Sequence, residues 1–106
     1  MKKTYNKLVR DNIPDILTEQ GKKCDWYIEG VFDLYMDALN KKLMEELTEY
    51  YASNNPAELM DLVEVVYAIC EAHGISITDF HKQRVEKRNI RGGFEKRIIL
   101  KTVTEE

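Results

Sequence analysis

The chain has no long hydrophobic run and few of the residues that mark collagen-like, low-complexity or disulfide-rich proteins. Its longest apolar run, residues 65–70, has six residues, whereas a membrane-spanning helix needs about 20. Five Gly and two Pro in 106 residues exclude the collagen-like and low-complexity classes. The two cysteines, Cys24 and Cys70, lie in unlike contexts. We therefore expect reduced thiols, a cytoplasmic location and no membrane association.

Neither sign of charge dominates the sequence. The chain carries 16 Lys and Arg against 19 Asp and Glu, a net charge of -3, which argues against stable nucleic-acid binding. The basic residues 1–7 are not followed by an apolar segment, so we expect no secretory signal. The length and the 43% hydrophobic content predict one globular domain, residues 1–106.

Hydrophobic spacing predicts a mainly α-helical protein, an antiparallel helix bundle with short peripheral β-strands. A short helical turn should follow Pro14 and stop at Gly21, and Asn55 and Pro56 should begin a helix after a turn. The longer helices are predicted at residues 32–52, 56–73 and from 76 or 78 to 91. Strands are predicted at residues 24–29 and 94–103.

Two acidic runs flank the turn between the first two long helices. The first contains Glu45, Glu46 and Glu49, and the second contains Glu58 and Asp61. On a helical projection Asp61 falls among small apolar residues, where an unpaired carboxylate is costly. An antiparallel hairpin brings Glu46 and Glu49 level with Glu58 and Asp61. Four converging carboxylates predict a site for Mg²⁺, with Mn²⁺ as the alternative ion.

Each acidic residue also has an ordinary structural interpretation. Glu58 stands three residues after Asn55 and can complete a capping box. Glu45 and Glu49 can pair with lysines of their own helix or be solvated; those lysines are Lys41 and Lys42. Glu64 falls on the solvent side and is left out of the site.

Basic residues cluster near the end of the chain and in its N-terminal arm, residues 1–12. Lys87 and Arg91 precede the pair Gly92-Gly93, an arrangement that can hold phosphates but that also suits an ordinary helix C-terminus. Lys7 and Arg10 form a weaker candidate pair.

These motifs together resemble the MazG-like, all-α nucleoside triphosphate pyrophosphohydrolase superfamily, in particular its small phosphoribosyl-ATP-pyrophosphohydrolase-like members. The acidic runs have the form E-E-x-x-E followed by E-x-x-D. The blocks K-L-V-R-D-N-I-P, K-L-M-E-E and K-R-N-I-R-G-G-F, which begin at Lys7, Lys42 and Lys87, are similar to the start, middle and end of those proteins. The resemblance covers nearly the whole chain, although the eight residues between the acidic runs are fewer than in many members.

The resemblance implies Mg²⁺-dependent cleavage between the α- and β-phosphates of a nucleoside triphosphate, giving a monophosphate and pyrophosphate. It implies that Mg²⁺ is held by the residues Glu46, Glu49, Glu58 and Asp61. Catalysis would involve Glu45, Glu46 and Glu49, with Glu45 orienting water or serving a second ion. It assigns phosphate binding to Lys87 and Arg91, with Lys7 and Arg10 approaching from the arm.

Two other functions remain open at this stage. One is a noncatalytic nucleotide- or protein-binding module on the same scaffold, and the other is a helical interaction protein with an acidic surface. Apolar side chains surround much of the predicted helices, more than one small hairpin can bury, which predicts self-association. The resemblance implies a homodimer or homotetramer.

Overall fold

The computed structural model describes residues 1–105 and contains four helices in that range. They are α1 (Ile13–Glu19), α2 (Phe32–Ser53), α3 (Ala57–Ala72) and α4 (Ile77–Arg91). The helix-to-helix packing seen among them is α2 against α3 and, less extensively, α3 against α4. The mainly α-helical prediction is confirmed, and the three long helices begin and end within about one residue of the predicted bounds.

The predicted strands are wrong for this structure. Residues 24–29 and 94–103 form no strand in the described chain. Aromatic and β-branched side chains favour extended backbone, but a strand also needs a neighbour to accept and donate its backbone hydrogen bonds. No such neighbour lies beside either segment within residues 1–105, and Trp26, Tyr27, Ile98 and Ile99 are exposed.

The connection between α2 and α3 is short because its residues satisfy the helix ends locally. Asn54 adopts a left-handed conformation (φ 52°), and its N–H donates to the carbonyl of Tyr50 at 2.7 Å. The Asn55 Oδ1 accepts from the N–H of Ala57 at 3.0 Å. The Asn55 N–H donates to Ser53 Oγ at 3.1 Å. That amide is therefore not engaged by Glu58, and the capping-box interpretation of Glu58 is not observed.

The helix α4 follows α3 through a tight turn. Gly74 has a φ of 80°, and the N–H of Ile75 donates to the carbonyl of Cys70 at 2.9 Å. The hydroxyl of Ser76 then caps α4 by accepting from the N–H of Asp79 at 3.1 Å. Tyr67 of α3 meets Phe80 edge-to-face, with ring centroids 6.4 Å apart.

The buried core is small and lies between α2 and α3. Its apolar members are Leu39, which is 1% exposed, together with Val65 and Cys70. The accessible surface is 10,023 Å², whereas a compact monomer of this mass exposes about 6,200 Å². The radius of gyration is 18.6 Å, against about 13 Å for a compact domain of this length. One chain therefore leaves much of its apolar surface uncovered.

Among the helices of residues 1–105, none combines the length and the apolar character that crossing a bilayer requires.

Candidate metal centre

Three carboxylates converge across the α2–α3 hairpin. Glu46 projects from α2, and Glu58 and Asp61 project from the first turns of α3. Residues three apart lie on the same side of a helix, so Glu58 and Asp61 are neighbours and both face α2. One oxygen from each of the three residues lies within 4.8 Å of the others. The convergence of these three residues, predicted from the sequence, is observed; we call them the carboxylate cluster.

Glu46 is the member that most needs a partner. The residue is only 5% exposed, and its Oε2 is fully buried with no hydrogen-bond donor among the described residues. Its Oε1 lies 3.2 Å from Lys42 Nζ, one turn earlier on α2. Burial raises the pKa of Glu46, and the ammonium of Lys42 opposes that rise only in part. The negative charges of Glu49 and Asp61 raise the same pKa further.

Lys42 forms an ion pair with Glu46 that the sequence did not lead us to expect, because Lys42 was considered only as a partner of Glu45 and Glu49. Its side chain is 15% exposed and reaches both Glu46 and, at 3.5 Å, Glu45 Oε1. The pairing with Glu45 is thus observed. Lys41 instead pairs with Asp37 at 2.9 Å. The i,i+4 spacing of Lys42 and Glu46 was the available signal for the missed contact.

The N-terminal arm, residues 1–12, crosses the same face of the hairpin. Lys7 Nζ donates to Glu45 Oε1 at 2.6 Å. This hydrogen bond is the main cause of the lowered pKa of Glu45 and of the raised pKa of Lys7. Arg10 Nη1 donates to Asp61 Oδ1 at 3.2 Å, and its Nη2 lies 3.8 Å from Glu64. Both predicted arm residues therefore contact acidic side chains of the site.

The remaining predicted site residues are less closely placed. Glu49 lies near enough for its charge to raise the pKa values of Glu46 and Lys7, but it is outside the carboxylate cluster. Lys87 and Arg91 lie near the end of α4, exposed, and within residues 1–105 neither forms an ion pair. The structure of a single chain brings neither of these two cations to the cluster.

The carboxylate cluster fits a hard divalent cation. All of its donors are carboxylate oxygens, the ligand type that Mg²⁺, Mn²⁺ and Ca²⁺ prefer. Two oxygens bound to one ion are at most about 4.2 Å apart for Mg²⁺ and about 5.2 Å apart for Ca²⁺, twice the ligand distance. The cluster oxygens lie within 4.8 Å of one another, so a small side-chain movement would bring them around Mg²⁺. The buried Oε2 of Glu46 has no hydrogen-bond donor among the described residues, so it is free to bind such an ion.

Comparison with known proteins adds no assignment. No family model matches the chain, and no curated protein or solved structure matches it significantly.

Proposed function

We propose that this chain is a Mg²⁺-dependent nucleoside triphosphate pyrophosphohydrolase of the MazG-like type, cleaving the bond between the α- and β-phosphates. The observation that carries the proposal is Glu46, a buried carboxylate with one unpartnered oxygen, which meets Glu58 and Asp61 across the hairpin. Carboxylates this close repel one another, and a bound cation is the simplest way to hold all three ionised. The reaction itself is taken from the sequence resemblance.

The residues of the chain have distinct roles in this proposal. Glu46, Glu58 and Asp61 hold Mg²⁺ or Mn²⁺, and Glu49 completes the set after a side-chain rotation. The bound ion would neutralise phosphate charge and lower the pKa of a water molecule. The hydrogen bond from Lys7 lowers the pKa of Glu45 and so favours its anionic form, which can orient water at the edge of the cluster.

Phosphate binding is assigned to Lys7 and Arg10 from the arm and to Lys87 and Arg91 from α4. Arg10 is 58% exposed, so its guanidinium can turn from Asp61 toward a phosphate without loss of buried contacts. Lys87 and Arg91 also have solvent-exposed side chains. We propose that a second copy of the chain supplies them to the site.

Self-association is supported by the surface area. The accessible surface exceeds the compact-monomer value of about 6,200 Å² by far more than the ~800 Å² that each partner buries in a standard interface. The hairpin face opposite Glu45 and Asp61 carries a set of exposed apolar side chains, namely Met44, Leu47, Tyr51, Leu59 and Val63. We propose that this apolar face packs against another copy, giving a homodimer or homotetramer.

The two thiols are consistent with a cytoplasmic protein. Cys24 and Cys70 are both free in the structure, and Cys70 is buried as a small apolar residue. Free thiols are typical of a reducing compartment.

Product analysis tests the reaction. Purified protein is incubated with a panel of ribo- and deoxyribonucleoside triphosphates, with Mg²⁺ or with EDTA, and pyrophosphate and orthophosphate are measured separately. We expect Mg²⁺-dependent pyrophosphate and nucleoside monophosphate, abolished in Asp61→Asn. Glu71→Gln is the matched control, because Glu71 is an exposed acid at the other end of α3.

Other products would contradict the proposal in distinct ways. Orthophosphate release would show that a different phosphate bond is cleaved. A folded, Mg²⁺-binding protein that turns over none of these nucleotides would favour the noncatalytic binding module.

Sedimentation velocity tests the association. We expect a species of at least two chains, and we expect Leu47→Glu with Val63→Glu to convert it to monomer, because each new charge would be buried in the apolar interface. A wild-type monomer at micromolar concentration would refute the proposed assembly.

A further inference from the structure

The N-terminal arm carries a positive charge directly to one member of the carboxylate cluster. Arg10 Nη1 lies 3.2 Å from Asp61 Oδ1, and Asp61 is one of the three residues whose oxygens lie within 4.8 Å of one another. A divalent ion in the cluster and the guanidinium of Arg10 would therefore share one carboxylate. Two cations that share a carboxylate repel each other, so binding of the ion and retention of the Arg10–Asp61 contact oppose each other.

The contacts of the arm allow it to leave. Helix α1, which follows the arm, packs against no other helix of the described chain. The polar links from the arm to the hairpin among the described residues are the ion pairs of Lys7 and Arg10. Side chains at the Arg10–Asp61 pair are 58% and 40% exposed, and exposed ion pairs contribute little to stability. The arm is thus held by contacts that a competing charge can break.

Arg10 also has a second carboxylate within reach. Its Nη2 lies 3.8 Å from Glu64 Oε1, and Glu64 is 58% exposed. Glu64 is one turn beyond Asp61 on α3 and lies outside the carboxylate cluster. The guanidinium can therefore release Asp61 while its charge stays beside the site.

We propose that Arg10 is a tethered cation that occupies Asp61 until a divalent ion binds, and that the displaced guanidinium then binds a polyphosphate anion beside the ion. This role rests on the proposed function, which supplies both the divalent ion and the polyphosphate anion. It makes Arg10 a positioning residue that couples the two ligands: the ion frees the guanidinium, and the anion holds it away from Asp61. By reciprocity, the anion must raise the affinity for the ion.

Binding of Mn²⁺ alone tests the competition without any need for turnover. Free Mn²⁺ is measured by electron paramagnetic resonance during titration of the full chain, at fixed protein concentration. We expect Arg10→Gln to bind Mn²⁺ about threefold to tenfold more tightly than the wild type, because one competing unit charge is removed. Arg10→Lys keeps the charge and should bind like the wild type.

Arg88→Gln is the matched control, because Arg88 forms an exposed ion pair with Glu95 outside the cluster. It removes the same charge and should leave Mn²⁺ affinity unchanged. Equal or weaker Mn²⁺ binding by Arg10→Gln, or equal tightening by Arg88→Gln, would overturn the inference. Absence of Mn²⁺ binding in every variant would overturn it as well, and with it the proposed metal centre.

The coupling is measured by repeating the titrations with tripolyphosphate. We expect tripolyphosphate to raise Mn²⁺ affinity more in the wild type than in Arg10→Gln, and equal enhancement in both would overturn the coupling. The outcomes separate this inference from the proposed function. Tightened Mn²⁺ binding in Arg10→Gln without nucleotide hydrolysis by the wild type would leave the inference standing and refute the reaction. Nucleotide hydrolysis by the wild type, together with an Mn²⁺ affinity in Arg10→Gln equal to that of the wild type, would support the reaction and refute the inference about Arg10.

Discussion

Replacement of Glu46 by Gln should stabilise the protein in the absence of divalent ions. The substitution keeps the side-chain shape but removes a charge whose Oε2 is buried and unpartnered. The new amide can donate toward Glu58 or Asp61, whose oxygens lie within 4.8 Å in the cluster. A buried polar atom that is left without a hydrogen-bond partner costs roughly 1–3 kcal/mol. Because Lys42 loses part of its ion pairing while it keeps Glu45 at 3.5 Å, we expect a gain near 1 kcal/mol at pH 7.

The pH dependence of that gain has a definite sign. Burial raises the pKa of Glu46 above that of the unfolded chain, which is about 4.3. Between those two values the folded state binds more protons than the unfolded state, so wild-type stability falls as the pH rises through that window. The variant lacks this group. Its advantage over the wild type should therefore be absent below the unfolded pKa and complete above the folded pKa.

Mg²⁺ should reverse the order of stability. An ion present at 100 times its dissociation constant stabilises a folded protein by about 2.7 kcal/mol. The wild type should gain this free energy, and Glu46→Gln should lose most of it. The assay is urea unfolding followed by circular dichroism, from pH 4 to 8, with EDTA or with Mg²⁺, at one protein concentration.

The control for this series is Glu71→Gln, which changes an exposed acid of the same helix as Glu58 and Asp61. It should alter the free energy of unfolding by less than about 0.5 kcal/mol in either buffer. The reasoning would be refuted if Glu46→Gln were destabilised in EDTA at pH 7. That result would mean that Lys42 fully satisfies Glu46 and that the cluster lacks no positive charge.

Two further changes test the fold. Leu39→Ala should lower the free energy of unfolding by about 3 kcal/mol, since Leu39 is 1% exposed in a small core. In the same urea-unfolding assay, the control Ile90→Ala should change this free energy by less than about 0.5 kcal/mol, because Ile90 is exposed. Ser76→Ala should cost about 1 kcal/mol, because it removes the acceptor of the Asp79 N–H. Thermal melts should show a lower Tm for Ser76→Ala than for Thr78→Ala, and equal Tm values would mean that the Ser76 cap does not stabilise α4.

The long helices could be predicted because their signals are local. The apolar spacing in α2 and α3 persists over several turns, and Asn55, Ser76 and Gly92 mark helix boundaries with their own conformational preferences. The strands could not be predicted in the same way. Residues 24–29 and 94–103 have strand-favouring side chains, but pairing depends on a neighbour that one sequence does not specify.

The carboxylate cluster was predictable from two local features, the helical spacing within α3 and the short turn that joins α2 to α3. Glu58 and Asp61 share a helix face, and the short turn fixes which residue of α2 lies opposite. Glu49 was expected in the same group but lies outside the cluster. It is three residues from Glu46, the same spacing as that of Glu58 and Asp61, so helical spacing does not separate it from the cluster. Whether its carboxylate reaches the cluster depends on its side-chain conformation, which follows from packing.

The distribution of positive charge supports a cation in the cluster more strongly than the number of acids does. Lys7 and Arg10 contact Glu45 and Asp61 from the exposed rim, and Lys42 contacts Glu46 on one oxygen only. The inner oxygen of Glu46 is left without any described donor. A glutamine at this position would avoid that desolvation cost, so we expect the carboxylate to lower the stability of the ion-free protein. Departures from good packing of this kind are expected where a site binds a ligand, and a divalent cation is the ligand that matches these donors.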